Sequence, residues 1–259
     1  MLVDEITDLD YRKIRKKIVT FMKKELRSSK RDGFVVGLSG GLDSSVVTTL
    51  AAEAAGRKLR ALILPSHKIT PIQDVRDAVT LSKKLQIKSD IIDLERIHSG
   101  LIQRKQASKI ASGNLLARLR MCLLYYSANQ NNLLVLGTSD RSELLMGYYT
   151  KYGDGGADIL PVASLYKVQV RALGSYLKLP DSILTKKIGP KLWEKHTAEE
   201  EIGMPYETID GILYCIFDLK HSPYKTAKKL GIPLKKVLRI KNMHDNTKHK
   251  REMPKICIL

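Results

Sequence analysis

The sequence predicts an α/β protein: a doubly wound parallel sheet flanked by helices, with a helical C-terminal end. Two observations predict this class. Short apolar runs that end at turn residues alternate with longer segments of helical periodicity, which is the pattern of parallel strands joined by crossover helices. The chain also has 259 residues, of which 43% are apolar, enough to bury one core of substantial size. We therefore expect a single domain over residues 1–259.

The predicted elements alternate in order along the first half of the chain. Strands are expected at 34–37, 59–65, 90–94 and 133–138, with helices at 44–55, from 71 onward and at 114–130. In the helix that Pro71 opens, apolar residues occupy one broad face. Ligands of such sheets bind at the carboxyl ends of the strands, where the strand order reverses. We therefore expect a site where strands one and four end, near Ser39 and Thr138.

The most informative motif joins the first strand to the next helix and reads Ser-Gly-Gly-Leu-Asp-Ser-Ser over residues 39–45. Glycines let backbone N–H groups approach an anion closely, the serine hydroxyls add donors, and the helix presents its positive end. The common G-x-x-x-x-G-K-[ST] loop carries a Lys, whereas this motif has a carboxylate, Asp43, where Mg²⁺ can bind. A capped strand-to-helix turn would share the glycines. The preceding strand and the length of the match favour a phosphate site suited to pyrophosphate release.

A second polar segment follows the fourth predicted strand and is the densest in charge and glycine in the chain, from Gly137 to Lys167. A loop rich in glycine and aspartate is often a plain turn. In this one, many charges lie within reach of a strand end, so carboxylates can meet Mg²⁺ and ammonium groups can meet a triphosphate. The segment thus supplies the Lys that the first motif lacks. Its candidate residues are Thr138, Glu143, Lys151, Asp154, Asp158 and Lys167.

The run from Gly113 to Met121 carries Arg118 and Arg120 on a predicted helix. Side chains two positions apart on a helix point about 200° away from one another. The two arginines therefore cannot both bind one phosphate unless one of them faces another element or subunit. As an alternative, both are surface charges.

Composition narrows the class of protein. The chain has no run of about 18 apolar residues and its N-terminus is acidic, so we expect a soluble, cytoplasmic protein without a membrane segment. Cys122, Cys215 and Cys257 are widely spaced without a C-x-x-C motif, so the sequence suggests neither a disulfide framework nor a zinc site. Cys122 is expected to be buried in helix packing.

The net charge of +18 is compatible with polyanionic nucleotide substrates and also with nucleic acid. Much of the excess lies at 12–24 and 225–251, without the interleaved aromatic residues that indicate base stacking. Residues 222–237 also resemble a helix-turn-helix. Solvated helix faces explain this charge better than a nucleic-acid interface does, although the charge leaves such an interface open.

These motifs resemble one enzyme superfamily at two levels. Ser-Gly-Gly-x-Asp-Ser resembles the signature of the PP-loop ATP pyrophosphatases, which cleave ATP between its α and β phosphates. The Gly113–Met121 and Tyr148–Asp158 runs resemble the ammonia-dependent NAD synthetase family in particular, and the likeness extends from Ser39 to the tail at 248–254. The resemblance implies an adenine nucleotide alpha hydrolase-like fold and a homodimer that binds its dinucleotide near the subunit interface.

The resemblance also implies roles for individual residues. ATP would be bound by Ser39, Gly40, Gly41, Asp43, Ser44, Ser45, Thr138 and Lys167. Deamido-NAD would be bound by Asn114, Arg118, Lys151, Asp154 and Asp158. Mg²⁺ would be bound by Asp43 and Glu143. The catalytic residues would be Asp43, Lys167 and Asp154; the role of Asp154, as the candidate proton acceptor, rests on its placement and not on the resemblance.

The implied reaction is the ATP-dependent amidation of deamido-NAD to NAD with ammonia. A nicotinate carboxylate is ionised at neutral pH, so it can attack the α-phosphorus of ATP without a general base. Ammonia then attacks the acyl-adenylate, which gives the amide and AMP. Glutamine-fed relatives carry an extra amidase domain, and the residues before Phe34 are too few to form one. Ammonia is therefore expected to be free or supplied by a separate amidase.

One region departs from the family pattern. In the segment 186–203, expected to be a mobile loop, Gly189 stands where a hydroxyl residue is usual and Ala198 where an aspartate is usual. Each lost hydrogen bond to bound nucleotide would cost about 1 kcal/mol. Slow turnover or a changed acceptor would follow. His196 in the same segment is expected to be incidental rather than a catalytic acid.

Two alternatives of different class therefore stay open. One is a PP-loop enzyme that adenylates another acceptor such as tRNA, which the charge favours. The other is a non-catalytic nucleotide- or nucleic-acid-binding paralogue, which the changes at Gly189 and Ala198 favour. The retained Asp43, Glu143 and Lys167 argue against lost catalysis.

Overall fold

The computed structural model describes residues 2–101, 108–194 and 196–258. It contains the predicted parallel sheet, in the order β3-β2-β1-β4. The strands are β1 Gly33–Gly37, β2 Leu59–Ile63, β3 Lys88–Ile91 and β4 Leu133–Leu136. The four predicted strands are confirmed, although β3 begins two residues before its predicted start. Since β2 and β4 lie on opposite sides of β1, the strand order reverses at β1, and a crevice opens between the ends of β1 and β4.

Helices connect and cover these strands. They are α1 Leu2–Thr7, α2 Tyr11–Ser28, α3 Leu42–Ala55, α4 Ile72–Lys84, α5 Glu95–Leu101, α6 Lys109–Asn131, α7 Arg141–Met146, α8 Lys167–Tyr176, α9 Asp181–Leu184, α10 Ala198–Ile202, α11 Tyr206–Leu213, α12 Pro223–Leu230 and α13 Leu234–Asn246. Helix α6 begins five residues before its predicted start, because the side chain of Ser108 caps it by accepting from Ala111 N–H at 3.1 Å. Within the described residues, no helix is both long and apolar enough to cross a bilayer.

The two faces of the sheet bury two different sets of side chains. Phe34 and Val36 of β1 pack with helices α2, α3, α4 and α8, whereas Val35 between them packs with α6. This alternation follows from the two-residue period of a strand, and it is the burial expected of a parallel sheet that is covered on both faces. The predicted doubly wound α/β fold is confirmed.

A third cluster joins the C-terminal helices to the edge of the crevice. Tyr206 and Ile209 of α11 pack against Met146 of α7, Tyr166 before α8 and Ile240 of α13. The predicted helix-turn-helix forms as α12, a turn at 231–233 and α13, with Gly231 at φ +62°. From 251 to 258 the described chain forms no helix, so the predicted helical end stops at residue 250.

Buried Asp210 of α11 fixes two helices beside the crevice. Its carboxylate accepts from the hydroxyl of Ser142 at 2.5 Å and from the N–H of Val168 at 2.9 Å. Burial raises the pKa of Asp210 to about 7, against these hydrogen bonds, which lower it. The starts of α7 and α8 are thereby held together, and both helices carry candidate site residues.

The expected burial of Cys122 is wrong, because this side chain is exposed. The buried residues of α6 include Leu116 and Ala117. A residue five or six positions further along an α-helix lies more than 100° around the axis from them. Cys122 therefore falls on another face of α6.

Candidate active site

A cavity of about 250 Å³ opens at the carboxyl ends of β1 and β4, where the strand order predicts a site. The loop after β1 forms one wall, and Thr138 and Glu143 after β4 form the next. Residues at the end of β2, the start of α4, helix α6, the loop 148–156 and the segment 186–198 contribute most of the remaining lining. The cavity therefore brings together parts of the chain that are about 150 residues apart.

The loop after β1 has the geometry of a phosphate cradle. Gly40 has φ +75°, and a Cβ atom there would lie 2.1 Å from the backbone oxygen of Asp74, so only glycine fits. The Ser39 and Ser44 hydroxyl oxygens are 3.0 Å apart, and the N–H of Ser39 donates to Ser44 Oγ at 3.2 Å. Gly41 caps α3 without a side-chain bond. Backbone and hydroxyl donors thus converge at the positive end of a 14-residue helix.

The serines of this loop do not all face the cavity. Ser39, Gly41 and Ser44 line it. Ser45 is buried, and its hydroxyl donates to the Gly41 carbonyl at 2.7 Å. Ser45 therefore stabilises the first turn of α3, while the neighbouring residues offer donors to a ligand.

Lys167 lies behind the cavity at the start of α8 and is fully buried. Its ammonium group is 2.8 Å from Asp43, 3.0 Å from Asp140 and 2.8 Å from Glu143. Burial would lower the pKa of Lys167, but attraction to these carboxylates raises it well above its usual value. Lys167 is therefore charged, and it draws carboxylates from α3 and α7 to one point.

Asp140 is a member of this cluster that the sequence prediction missed. It caps α7 and forms a capping box with Glu143: Glu143 N–H donates to Asp140 Oδ1 at 2.8 Å, and Asp140 N–H donates to Glu143 Oε2 at 3.3 Å. The spacing Asp-x-x-Glu, which is typical of a helix start, was the available signal. Its effect is to hold the Glu143 side chain near the cavity.

The carboxylates of this cluster outnumber its ammonium group. Burial raises the pKa of Asp140 to about 7 and of Glu143 to about 8, although Lys167 opposes both shifts. Asp43 Oδ1 is buried without a hydrogen-bond partner. Both Asp43 and Glu143 line the cavity, so this unpartnered oxygen and the Glu143 carboxylate lie where a cation could bind them.

These donors fit Mg²⁺ rather than a softer ion. In the described parts of the chain, no three His, Cys, Asp or Glu side chains are grouped to hold a metal by themselves. Mg²⁺ is commonly bound by one or two carboxylates together with water and substrate phosphates. The pair of Asp43 and Glu143 is such a donor set, beside a phosphate cradle.

The opposite wall of the cavity carries Asp154 and Arg120. Asp154 accepts from the N–H of Thr150 at 2.8 Å, and Arg120 donates to the Leu64 carbonyl at 3.2 Å. Asp154 is exposed over much of its surface, but the atoms crowded around its carboxylate raise its pKa, against the Thr150 hydrogen bond. Burial lowers the pKa of Arg120 to about 10, and the charge of Asp154 opposes this shift. The carboxylate of Asp154 and the guanidinium group of Arg120 thus face the same cavity.

The predicted divergence of the two arginines of α6 is confirmed. Arg120 lines the cavity, whereas exposed Arg118 donates to the Lys151 carbonyl at 3.3 Å. The sequence interpretation singled out Arg118 as the ligand. The structure adds Arg120, which helical geometry alone could not distinguish from its neighbour without the position of the sheet.

Three other predicted deamido-NAD residues lie outside the cavity lining in this structure. Asn114 accepts from the Thr150 hydroxyl at 2.6 Å, and Lys151 donates to the His249 carbonyl at 2.6 Å. Asp158 accepts from the N–H of Val135 at 2.7 Å and from the Tyr125 hydroxyl at 3.1 Å. These contacts shape the glycine-rich loop 147–158 and tie it to α6, β4 and the C-terminal residues.

The two departures at Gly189 and Ala198 are explained by packing within the segment 186–203. A Cβ atom at Gly189 would lie 2.6 Å from the His196 carbonyl oxygen and 2.8 Å from Thr197 Cα. The N–H of Ala198 donates to the Ile188 carbonyl at 3.0 Å, and Ala198 is 1% exposed. An aspartate at 198 would bury a charge there. Gly189 and Ala198 therefore allow residues 188–189 to pass close to residues 196–198.

His196 has a structural role in the same segment. Its ring stacks on Trp193 at 3.4 Å between centroids, and its Nε2 lies 2.8 Å from Glu201. Glu201 also accepts from the hydroxyl of Tyr148 at 2.5 Å, and Tyr148 lines the cavity. His196 thus supports the group that holds a cavity side chain, which agrees with the expectation that it is not a catalytic acid.

Comparisons with known proteins agree with the site. The family model for NAD synthase matches residues 14–254. An NH(3)-dependent NAD(+) synthetase from Staphylothermus marinus is 45% identical over 258 residues, which cover 98% of this chain and 94% of that protein. One from Hyperthermus butylicus is 45% identical over 255 residues, covering 97% and 92%.

Solved structures give the same result. An NMN synthetase from Francisella tularensis has TM-score 0.86 and 35% identity over 97% of this chain and 100% of that one. An NH3-dependent NAD synthetase from Campylobacter jejuni has TM-score 0.82 and 31% identity over 96% and 100%. With a family model that spans nearly the whole sequence and the predicted phosphate loop at the predicted crevice, the chain belongs to the NAD synthase family.

Proposed function

We propose that this protein is an ammonia-dependent NAD synthetase, a carbon-nitrogen ligase that amidates deamido-NAD to NAD and converts ATP to AMP and pyrophosphate. The meeting of Asp43, Glu143 and Lys167 beside the phosphate loop is the observation that carries the proposal. The names of the relatives support the same reaction.

The phosphate loop supplies the nucleotide site. Backbone N–H groups of the loop and the hydroxyls of Ser39 and Ser44 bind the phosphates, and Thr138 contacts the nucleotide from the end of β4. Asp43 and Glu143 would hold Mg²⁺, which when bound neutralises negative charge on the phosphates. Lys167 orients both carboxylates from behind. This fixed arrangement positions the α-phosphorus and stabilises departing pyrophosphate.

The acceptor site lies on the opposite wall. The ionised nicotinate carboxylate is itself the nucleophile, so the adenylation step needs no base. Arg120 faces this space and can neutralise the carboxylate of the acceptor. Asp154 is the proton acceptor when ammonia attacks the acyl-adenylate, and its raised pKa makes it a better base than an ordinary aspartate. Asn114, Arg118, Lys151 and Asp158 bind the remainder of the dinucleotide.

A second acceptor has a specific observation in its favour. The structural neighbour with TM-score 0.86 is named an NMN synthetase, whereas the curated relatives are named NAD synthetases. A mononucleotide acceptor would need fewer contacts outside the cavity. The tRNA-adenylating and non-catalytic alternatives have no such support among the relatives.

The assembly and the source of ammonia are part of the proposal. Ile110 and Tyr126 of α6 are 62% and 63% exposed, an apolar exposure that a homodimer would cover. The same helix carries Asn114 and Arg118, so a dimer through α6 would place the dinucleotide near the interface. Ammonia is free or comes from a separate amidase, in the cytoplasm. Light scattering at several protein concentrations tests the dimer.

The test of the reaction measures AMP and amide product from ATP, Mg²⁺ and ammonium with either deamido-NAD or nicotinate mononucleotide as acceptor. Asp43→Ala is the control, because it removes a carboxylate that binds both the cation and Lys167. NAD formed by the wild type alone supports the proposal. Product formed only from nicotinate mononucleotide would identify the mononucleotide as the acceptor. Absence of AMP with both acceptors, with ATP still bound, refutes synthetase activity.

A further inference from the structure

The segment from Lys186 to Gly203 is tied to the phosphate loop through Asp74 in the first turn of α4. The Asp74 side chain is 4% exposed, and its carboxylate forms ion pairs with two ammonium groups. Lys186 Nζ lies 2.8 Å from its Oδ1, and Lys191 Nζ contacts its Oδ2. One nearly buried carboxylate thus holds two lysines of the same segment.

Lys186 extends this connection to the phosphate loop itself. Its ammonium group donates to the Gly40 carbonyl at 2.8 Å and to Asp77 Oδ2 at 2.7 Å. The backbone oxygen of Asp74 also lies against Gly40, where a Cβ atom would be 2.1 Å away. Helix α4, the phosphate loop and the segment therefore meet at one point. Two carboxylates and two ammonium groups balance there with little exposure, so the loss of any one leaves the other three with an unbalanced charge.

Lys191 has a backbone conformation that fits an anchoring role. Its φ is +47°, a left-handed conformation that non-glycine residues adopt uncommonly and that persists where surrounding contacts enforce it. On one side its ammonium group is held by Asp74. On the other, the next residue, Leu192, packs so closely on α6 that a Cβ atom at Gly113 would be 2.7 Å from Leu192 Cβ. The segment is thereby fixed to both walls of the cavity.

We infer that Asp74 and Lys191 are positioning residues for ATP binding, which hold the segment against the phosphate loop before the nucleotide arrives. This inference rests on the proposed function for its kinetic readout. Both residues also line the cavity, but their charged groups pair with each other there, so the role inferred for them is to hold the segment and not to take part in the chemical step. When a binding-competent form is only partly populated, the apparent affinity falls by that fraction. Loss of the ion pairs therefore raises KM for ATP and leaves kcat unchanged, because the bound complex is the same.

The same segment offers a matched control. Lys187 and Glu200 form an exposed ion pair at 3.8 Å, with side chains 81% and 65% exposed. Exposed pairs at this distance contribute little. Glu200→Gln removes a carboxylate from the segment, as Asp74→Asn removes one from α4, but it breaks only this weak pair.

The experiment compares Lys191→Ala, Lys191→Arg, Asp74→Asn and Glu200→Gln in the full-length protein. KM for ATP, kcat and hydrogen exchange of the amides at 186–194 are measured. Lys191→Ala and Asp74→Asn are expected to raise KM for ATP about tenfold, with kcat within about twofold and faster exchange. Lys191→Arg restores most of the affinity because it keeps the ion pair, and Glu200→Gln matches the wild type.

Three outcomes would overturn the inference. They are a fall in kcat at unchanged KM, unchanged exchange at 186–194 in Lys191→Ala, and an effect of Glu200→Gln as large as that of Lys191→Ala. If Asp74→Asn fails to fold, the two Lys191 variants still decide. If the wild type makes no amide, the proposed function fails separately, while the dissociation constant of ATP and the exchange rates still test the inference.

Discussion

The phosphate loop and the segment 186–203 face each other across one cavity, yet they are held in different ways. The phosphate loop lies between β1 and α3, and its serines bond within a few residues. In its described residues the segment has one short helix, the five-residue α10, and its lysines bind residues more than 100 positions away in the chain. We call the phosphate loop with Asp43, Glu143 and Lys167 the catalytic wall, and the segment 186–203 the facing wall. Within the catalytic wall the loop itself is held by local bonds, and Lys167 adds a long-range ion pair to Asp43. The facing wall instead depends on several long-range contacts of its lysines.

The largest expected effect is at the catalytic wall. Lys167→Met keeps much of the side-chain volume but leaves Asp43, Asp140 and Glu143 facing one another without their cation. Breaking a buried charge pair in this way costs about 3–5 kcal/mol, so a large fall in the free energy of unfolding is expected along with loss of turnover. Urea denaturation and the AMP assay measure the two effects. Wild-type stability in Lys167→Met would contradict the central place given to this lysine.

A smaller effect is expected where the two walls meet. Gly40→Ala must shift the backbone of either the loop or Asp74, since its Cβ would lie 2.1 Å from the Asp74 oxygen. We expect at least a tenfold loss of ATP affinity, equal to about 1.4 kcal/mol. Gly100→Ala in α5 is the control, because a Cβ atom there meets nothing within 4 Å and Gly100 does not line the cavity. Calorimetric titration with ATP should separate the two variants, and equal affinities would refute the argument from close approach.

Gly189→Ser tests whether close packing within the facing wall, the segment 186–203, limits ATP binding. Restoring the hydroxyl that is usual in the family would recover binding if the missing hydrogen bond were the dominant effect. The close approach to His196 predicts the opposite, with overpacking of about 1–3 kcal/mol and a weaker affinity for ATP. The KM for ATP and the thermal midpoint decide between these outcomes, with Gly203→Ala as a control for strain elsewhere in the segment. A lower KM in Gly189→Ser would show that the close packing is not limiting.

The smallest expected effect distinguishes two adjacent serines of the loop. Ser45→Ala should cost about 0.5–1.5 kcal/mol of stability, because its hydroxyl bonds to the Gly41 carbonyl, and should leave the KM for ATP nearly unchanged. Ser44→Ala should raise that KM, because Ser44 lines the cavity. Equal KM changes in both variants would mean that Ser45 also reaches the ligand.

The fold and the catalytic wall were largely predictable because their signals are local. Alternating apolar runs predict the sheet, and a motif of seven residues predicts the phosphate loop with Asp43. Glu143 and Lys167 stand out in one dense polar segment. Asp140 was missed although its capping pattern with Glu143 was present. Burial of Cys122 was predicted wrongly because the apolar content of α6 does not show which of its faces meets the sheet.

The facing wall was not predictable in the same way. Asp74 and Asp77 look like ordinary charges of an amphipathic helix, and Lys191 looks like one more lysine of a basic chain. Their pairing depends on where α4 and the segment 186–203 are placed by the sheet. The choice of Arg120 over Arg118 depends on the same placement.

By itself the sequence determined the class of fold, the order of the elements, the phosphate loop and, except for Asp140, the candidate residues of the catalytic cluster, since each follows from periodicity, spacing or charge density over a short stretch. Only the tertiary structure decided that Lys167 stands behind its carboxylates, that Gly189 is required by a crossing of the chain, and that Asp74 joins the segment to the loop. These are contacts between distant parts of the chain. Their existence depends on packing geometry at the scale of a few ångströms, which no local pattern encodes.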